Sequence, residues 1–263
     1  TSNIVDFTTR GSLSGNTELE NETADSWTIG AVFTPTFAPG LTLSVDWVDI
    51  ALEGAIQSVD AEGTLEACYD ANDFPNSACD RIDRDGAGQV EFIRTGYLNV
   101  ASYDYQGVIA DLRWTEATPF LGADSRISLR GSYQYIDKLE QQVGTGDLST
   151  FRGSPGYSKH QATVGVTYEN NGFGAFTQIQ YIGENVVDPD AAPTSYQFFE
   201  RDEIVYMDAG ISFRTEDDFT FRFIVENLFD RGAPYPAPSG GGLTTYFDGI
   251  MGRYFKVAAT FGF

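Results

Sequence analysis

The chain has 263 residues, room for one large domain or two ordinary ones, and 38 acidic side chains against 16 Lys and Arg give it a formal charge of −22. A nucleic-acid binder needs a basic stripe to neutralise phosphates, and this sequence supplies none. No stretch approaches the roughly 18 consecutive apolar residues of a membrane-spanning helix. Thr1-Ser2-Asn3-Ile4 lacks the basic and apolar regions of a signal peptide, so either that segment has been removed or the chain begins inside a longer precursor. The acidic excess reads as exposed loops kept soluble and mutually repulsive. The alternative is a surface that binds cations or meets lipopolysaccharide through divalent ions.

With 20 Phe, 14 Tyr and 28 Gly, the composition favours pleated surfaces punctuated by turns. The dominant signal is alternation with a period of two, which predicts nine strands. In chain order, Trp27, Ile29, Ala31 and Phe33 oppose Thr28 and Thr34, and Leu41, Leu43, Val45 and Trp47 oppose Thr42, Ser44 and Asp46. Val108, Ala110, Leu112 and Trp114 then oppose Asp111 and Arg113, and Ile127, Leu129, Tyr133 and Tyr135 oppose Arg126, Ser128, Arg130 and Gln134. Ala162, Val164, Val166 and Tyr168 oppose Gln161, Thr163 and Thr167, and Phe173, Ala175, Ile179 and Tyr181 oppose Gln178 and Gln180. Val205, Met207, Ala209, Ile211 and Phe213 oppose Tyr206, Asp208, Ser212 and Arg214, and Phe219, Phe221, Phe223 and Val225 oppose Thr220, Arg222 and Glu226. Finally Phe255, Val257, Ala259, Phe261 and Phe263 oppose Tyr254, Lys256, Ala258, Thr260 and Gly262.

Alternation alone would also suit a soluble antiparallel sheet with one wet face. Three features favour a transmembrane β-barrel. The strands are long, and a tilted membrane strand needs about 9–11 residues. The connections alternate between short (35–40, 118–123, 170–172, 216–218) and long (57–101, 137–156, 185–202, 230–251), as tight periplasmic turns and longer extracellular loops do. Aromatics flank the strand ends, at Trp27, Phe33, Trp47, Trp114, Tyr168 and Phe173, where an interfacial girdle would lie.

The fold class is therefore all-β, an antiparallel transmembrane barrel. Its polar face carries Asp46, Asp111, Arg113, Arg126, Arg130, Asp208, Arg222, Glu226 and Lys256. A narrow packed barrel would bury these charges without partners, so a wide lumen facing water or a polar plug is expected. Nine is an odd number, and single-chain bacterial barrels have an even one. Open edges in lipid would leave backbone groups unpaired, so further strands must come from another chain or from upstream sequence. Residues 1–23 then read as the tail of an outside loop.

Cys68 and Cys79 lie in one polar stretch without a neighbouring His, too few ligands for a zinc site. A local disulfide in an oxidising compartment is expected, with two free thiols as the alternative. The lone His160 has no acid paired with it in sequence, and no catalytic constellation can be assembled. The stretch Asp80 to Gly86 lacks the spacing and distal Glu of a calcium loop. No metal or cofactor is expected. Tyr69, Phe74, Tyr196, Phe198, Phe199, Tyr235, Tyr246 and Phe247 all fall in long loops. They read either as loop-to-loop packing or as a stacking surface for a small solute.

Three stretches resemble one family. Gly15-Asn16-Thr17-Glu18-Leu19-Glu20-Asn21-Glu22-Thr23-Ala24 through Gly30 resembles the "GNPxLxPExAxxxxxG" stretch of TonB-dependent receptors, with Thr17 and Asn21 where Pro is usual. Val225-Glu226-Asn227-Leu228-Phe229-Asp230 is similar to the late "NLFD" box, and Gly252-Arg253-Tyr254-Phe255 through Phe263 to the closing "GRxxxxxxxxxF" strand. A long loop with paired cysteines is also found in some members.

The resemblance implies an outer-membrane barrel of about 22 strands, of which this chain would be the last nine. Residues 1–263 would form the C-terminal part of the barrel domain, with the plug and earlier strands elsewhere. It implies TonB-dependent uptake of a scarce nutrient, such as a siderophore or carbohydrate, in a Gram-negative bacterium. Implied partners are outer-membrane lipid and lipopolysaccharide, the rest of the barrel and its plug, the TonB complex through that plug, and a small-molecule or oligosaccharide ligand. Phe255, Val257, Ala259, Phe261 and Phe263 resemble the terminal signal read by the barrel-assembly machinery. A passive porin or a structural barrel of a surface complex is the alternative.

Overall fold

The structure, a computed structural model, describes residues 10–17, 19–69, 74–76, 78–144, 147–215, 219–233 and 251–261. Its elements are β1 (Arg10–Ser14), β2 (Thr23–Phe33), β3 (Thr42–Val59), α1 (Ala61–Tyr69), β4 (Ile82–Arg84), β5 (Val90–Ala117) and β6 (Arg126–Val143). They continue with β7 (Leu148–Thr150), β8 (His160–Asn170), β9 (Phe173–Ile182), β10 (Asn185–Val186), β11 (Glu200–Arg201), β12 (Ile204–Arg214), β13 (Phe219–Glu226) and β14 (Tyr254–Phe261). Two compact units divide the chain: Thr1–Ser26, Ile50–Tyr105 and Leu139–Thr150 form one, and Trp27–Asp49, Gln106–Lys138 and Phe151–Phe263 the other.

The larger unit is an antiparallel meander in the order β14-β13-β12-β9-β8-β6-β5-β3-β2. The order is linear, so the barrel is not closed: β14 and β2 each have one neighbour along this path. Register makes the sheet two-faced. Val164 sits opposite Ile179 and Val166 opposite Thr177, whereas Thr163 faces Gln180 and Gly165 faces Gln178. Across β12 and β13, Ile211 pairs with Phe223 and Phe213 with Phe221, while Ser212 pairs with Arg222. Because a strand alternates strictly, a slip of one residue would exchange the faces.

The apolar face is not buried in a core. Ile211 is 48% exposed, Phe255 61% and Val257 64%. A soluble sheet must cover such a face with a second layer, whereas hydrocarbon can be its solvent. Tight turns hold the strands at one end. Asn171 (φ 41°) and Gly172 (φ 83°) form a two-residue link between β8 and β9, using the left-handed backbone that hairpin turns need. The Gly172 carbonyl accepts the Arg214 N–H at 2.7 Å, which fixes this turn against the end of β12.

The smaller unit departs from expectation. The region 57–101 reads as one long loop in sequence, yet β3 continues to Val59 and β5 begins at Val90. In the β5 extension large apolar side chains fall at both parities, Phe92 and Leu98 on one and Ile93 and Tyr97 on the other, so alternation there is faint. Residues 1–23 read as a loop tail, but Arg10–Ser14 lies parallel to β5, with Arg10 opposite Phe92 and Ser14 opposite Gly96. β4 pairs antiparallel with the same strand and β7 with β6. The helix α1 starts because Asp60 caps it: its carboxylate accepts the Gly63 N–H at 2.8 Å and its carbonyl the Thr64 N–H at 3.0 Å. At its far end Cys68 is joined to Cys79 by a disulfide, with Cα atoms 4.8 Å apart.

Candidate functional site

Of the charged residues expected on one polar face, the register brings most together in the larger unit. Arg126 is opposite Glu169 and Arg130 opposite Gly165, on the same side as Gln178 and Asp208. Arg222 follows opposite Ser212, and Glu226 opposite Tyr254. Glu226 is ion-paired to Lys256. The hydroxyls of Thr115 and Ser128 touch at 3.2 Å, which assigns Asp111 and Arg113 to this face by parity. Asp46 joins it, because the β3–β5 register runs through Gly40 against Thr115 and Asp49 against Gln106.

Aromatic side chains collect on the opposite face. Tyr133 and Tyr135 flank His160, with the Tyr133 hydroxyl 2.8 Å from Nδ1 and the Tyr135 ring centroid 5.0 Å from the imidazole. On the same face, Tyr168 and Phe173 pack at 6.2 Å near the tight turn. The eight-residue interval from His160 to Tyr168 corresponds to about 26 Å of strand at ~3.3 Å per residue, which at the usual tilt of about 40° spans roughly 20 Å of height, most of a bilayer-facing apolar band of about 25 Å. On β14, Phe255, Val257, Ala259 and Phe261 share this face, and Phe255 stacks on Phe223 at 6.0 Å.

Of the loop aromatics read from the sequence, the described ones form two clusters outside the sheet, one in each unit, and Phe151 and Tyr157 add a pair at 6.1 Å in the larger. In the smaller unit Tyr69 and Phe74 stack at 5.6 Å, and the Arg84 guanidinium lies 5.4 Å from the Tyr69 ring centroid. Arg84 Nη1 is anchored by donating to the Gly88 carbonyl at 2.7 Å. The disulfide holds the last turn of α1, and hence Tyr69, to the 3₁₀ turn Cys79–Arg81. Beside it, Arg94 grips Asp83 with two hydrogen bonds of 2.7 and 2.5 Å. Arg84 was not legible as a partner of Tyr69, since cation–π pairing across a loop leaves no spacing in sequence.

In the larger unit Tyr196 and Phe199 approach at 6.5 Å, beside an exposed Phe198. Their segment is tied down by the Val187 N–H donating to the Phe199 carbonyl at 2.8 Å. The same segment runs on into a buried polar hub that sequence reading missed. Arg201 Nη1 donates to Asn185 Oδ1 at 3.2 Å, and Asn185 Nδ2 to Ser158 Oγ at 3.3 Å. All three side chains are buried, and burial pushes the Arg201 guanidinium down from its ordinary value. Tyr235, Tyr246, Phe247 and Phe263 lie outside the described residues.

A sheet with one exposed apolar face, an opposite charged face, tight turns at one end and aromatic clusters in the loops defines the class: part of a membrane-type antiparallel β-barrel wall. Residues 3–228 match the family described as TonB dependent receptor-like, beta-barrel. The chain belongs to this family of β-barrels. No curated protein sequence matches the chain.

Solved structures with similar folds include the siderophore receptor PirA from Acinetobacter baumannii, at TM-score 0.60 and 13% identity, covering 95% of this chain and 33% of that one. A mutant of the ferric enterobactin receptor (PfeA) from Pseudomonas aeruginosa aligns at TM-score 0.56 and 12% identity, covering 94% and 32%. The copper transporter OprC aligns at TM-score 0.54 and 13% identity, also covering 94% and 32%. The chain thus spans about a third of the length of these proteins.

Proposed function

We propose that this chain is the C-terminal wall of an outer-membrane receptor for TonB-dependent uptake of a scarce nutrient in a Gram-negative bacterium. The observation that carries the reading is the two-faced meander of the larger unit, apolar and exposed on one side, charged on the other, in a chain of this receptor family. In this reading the polar face lines a lumen that holds a plug, and the plug couples to the TonB complex. The wall supplies no moving part and no catalytic group.

The ligand contacts fall to the aromatic clusters, Tyr69 and Phe74 in one unit and Tyr196, Phe198 and Phe199 in the other, with Tyr235, Tyr246 and Phe247 as further candidates. Rings backed by a few polar groups suit a solute with a flat or apolar face. The neighbours' named cargoes, siderophores, ferric enterobactin and copper, differ in chemistry. The cargo of this receptor therefore follows from its own loops.

The test measures accumulation of a labelled solute, found by mass spectrometry of the purified full-length receptor, in cells with and without a protonophore. Collapse of accumulation with the proton gradient is the expected result. Gradient-independent entry that simply follows the outside concentration would make the protein a passive porin.

A further inference from the structure

The hairpin of β5 and β6 sets two like charges side by side. Its register is fixed where the Thr118 N–H donates to the Ser125 carbonyl at 2.9 Å and the Thr115 and Ser128 hydroxyls meet at 3.2 Å. Both pairs sum to 243, so Arg113 stands directly opposite Arg130. The next position agrees: a Cβ built on Gly131 lies 3.7 Å from Cβ of Leu112. Both arginines are exposed, and neither has a hydrogen bond or ion pair among the described residues. Like charges directly opposite across an antiparallel pair are destabilising. This chain has many more carboxylates than cations, yet among the described residues none reaches this pair within ion-pair distance.

The neighbourhood sharpens the chemistry. Beyond Arg130 the row continues through Gly165 and Gln178 to Asp208. Gly165 leaves the wall without a side chain beside the guanidinium pair, the arrangement that lets another backbone approach a strand closely. Two planar forks flanking one point suit a carboxylate, which accepts paired N–H donors. From this geometry we infer that Arg113 and Arg130 form a seat for an Asp or Glu carboxylate of an acidic polypeptide segment lying along the polar face. The inference rests on the reading of that face as the wall of a lumen. It assigns the opposing charge to a specific pair and gives the occupant a sign.

Zero-length coupling tests this directly, because it joins an amine to a carboxylate only when the two are in contact. Arg113→Lys and Arg130→Lys keep the charge and add the amine. The full-length protein in its native membrane is treated with carbodiimide and its peptides are read by mass spectrometry, with Arg94→Lys as control, which couples to Asp83. The expected result is an isopeptide bond from either introduced amine to an Asp or Glu outside the strands described above. Coupling only to Asp111, Glu169 or Asp208, or none while the Arg94→Lys control couples, overturns the seat. Retained inorganic phosphate without peptide coupling marks a small-anion site and overturns it equally. Uptake in the same strains separates the two levels: gradient-driven uptake without coupling removes the seat alone, and passive entry removes the receptor reading.

Discussion

The Asn227 main-chain N–H donates to Oδ1 of Asp208 at 2.8 Å, joining the end of β13 to the neighbouring strand β12. Asn227 is 1% exposed and has φ +52°, and its side chain holds Arg231 from both sides, donating to the carbonyl and accepting the N–H at 2.8 Å each. Leu228 N–H donates to the Met207 carbonyl at 2.7 Å, so the contact with β12 continues. Asp230 then receives the Arg253 N–H at 2.8 Å, and Arg253 Nη1 reaches the Leu228 carbonyl at 3.3 Å. The two motif stretches late in the sequence are thus two halves of one clasp at the base of the β13–β14 connection.

Asn227→Ala should therefore destabilise the folded wall by about 1–2 kcal/mol, because the Arg231 N–H and carbonyl lose their side-chain partner and alanine tolerates left-handed backbone less well than asparagine. Asn227→Gly should recover part of the loss, since glycine adopts that backbone freely. Urea unfolding of the barrel in lipid vesicles measures both. Equal stability of the Ala variant and the parent would mean that the clasp contributes nothing.

How much of this was legible beforehand depended on range. The face of every strand in the larger unit could be read, because period two is local: Val164 opposite Ile179 and Phe221 opposite Ala259 follow from alternation once neighbours pair. Asn227 was readable as turn chemistry from its own residue type, but its bond to Asp208 was not. Contacts between loops leave no periodic trace, so Arg84 over Tyr69 and the Ser158–Asn185–Arg201 hub emerge only from the structure. The parallel partner of β5 was hidden for the same reason, because Arg10–Ser14 lies about 80 residues from its mates.

Reducing the Cys68–Cys79 bridge, or replacing both residues with Ser, should loosen a local segment and spare the sheet. Closing a loop of this length is worth about 2–3 kcal/mol in the chain-entropy description. The separation of 11 residues confines that effect to the end of α1 and the turn after it. Limited proteolysis should cut between the two positions faster, while the urea midpoint of the whole wall stays put. A parallel fall in both would show that the bridge supports far more than its own segment.

Replacing buried Arg201 with Ala removes the donor to Asn185 Oδ1 and leaves that buried amide oxygen without this partner. The cost should be about 1–3 kcal/mol, local to the segment. Arg201→Lys should not restore it fully, because an ammonium lacks the planar fork. If Tyr196, Phe198 and Phe199 bind the ligand, Arg201→Ala should raise Kd in the same direction as their triple Ala variant. A triple Ala variant with unchanged uptake and binding would remove that cluster from the site.

The membrane reading itself turns on which face meets hydrocarbon, and one residue step decides it. Val164 and Thr163 are adjacent on β8, with Val164 opposite Ile179 and Thr163 opposite Gln180. An arginine facing lipid near the bilayer midplane costs about 2–4 kcal/mol, whereas one on a wet lumen face costs little. Val164→Arg should thus lower folding stability in vesicles sharply, and Thr163→Arg should leave it nearly unchanged. A soluble sheet in water would give a different result: Val164 is already 41% exposed, and a charge added there would be solvated at little cost. Equal, small effects at the two positions would therefore remove the bilayer from the account, and with it every step that places a lumen behind the other face.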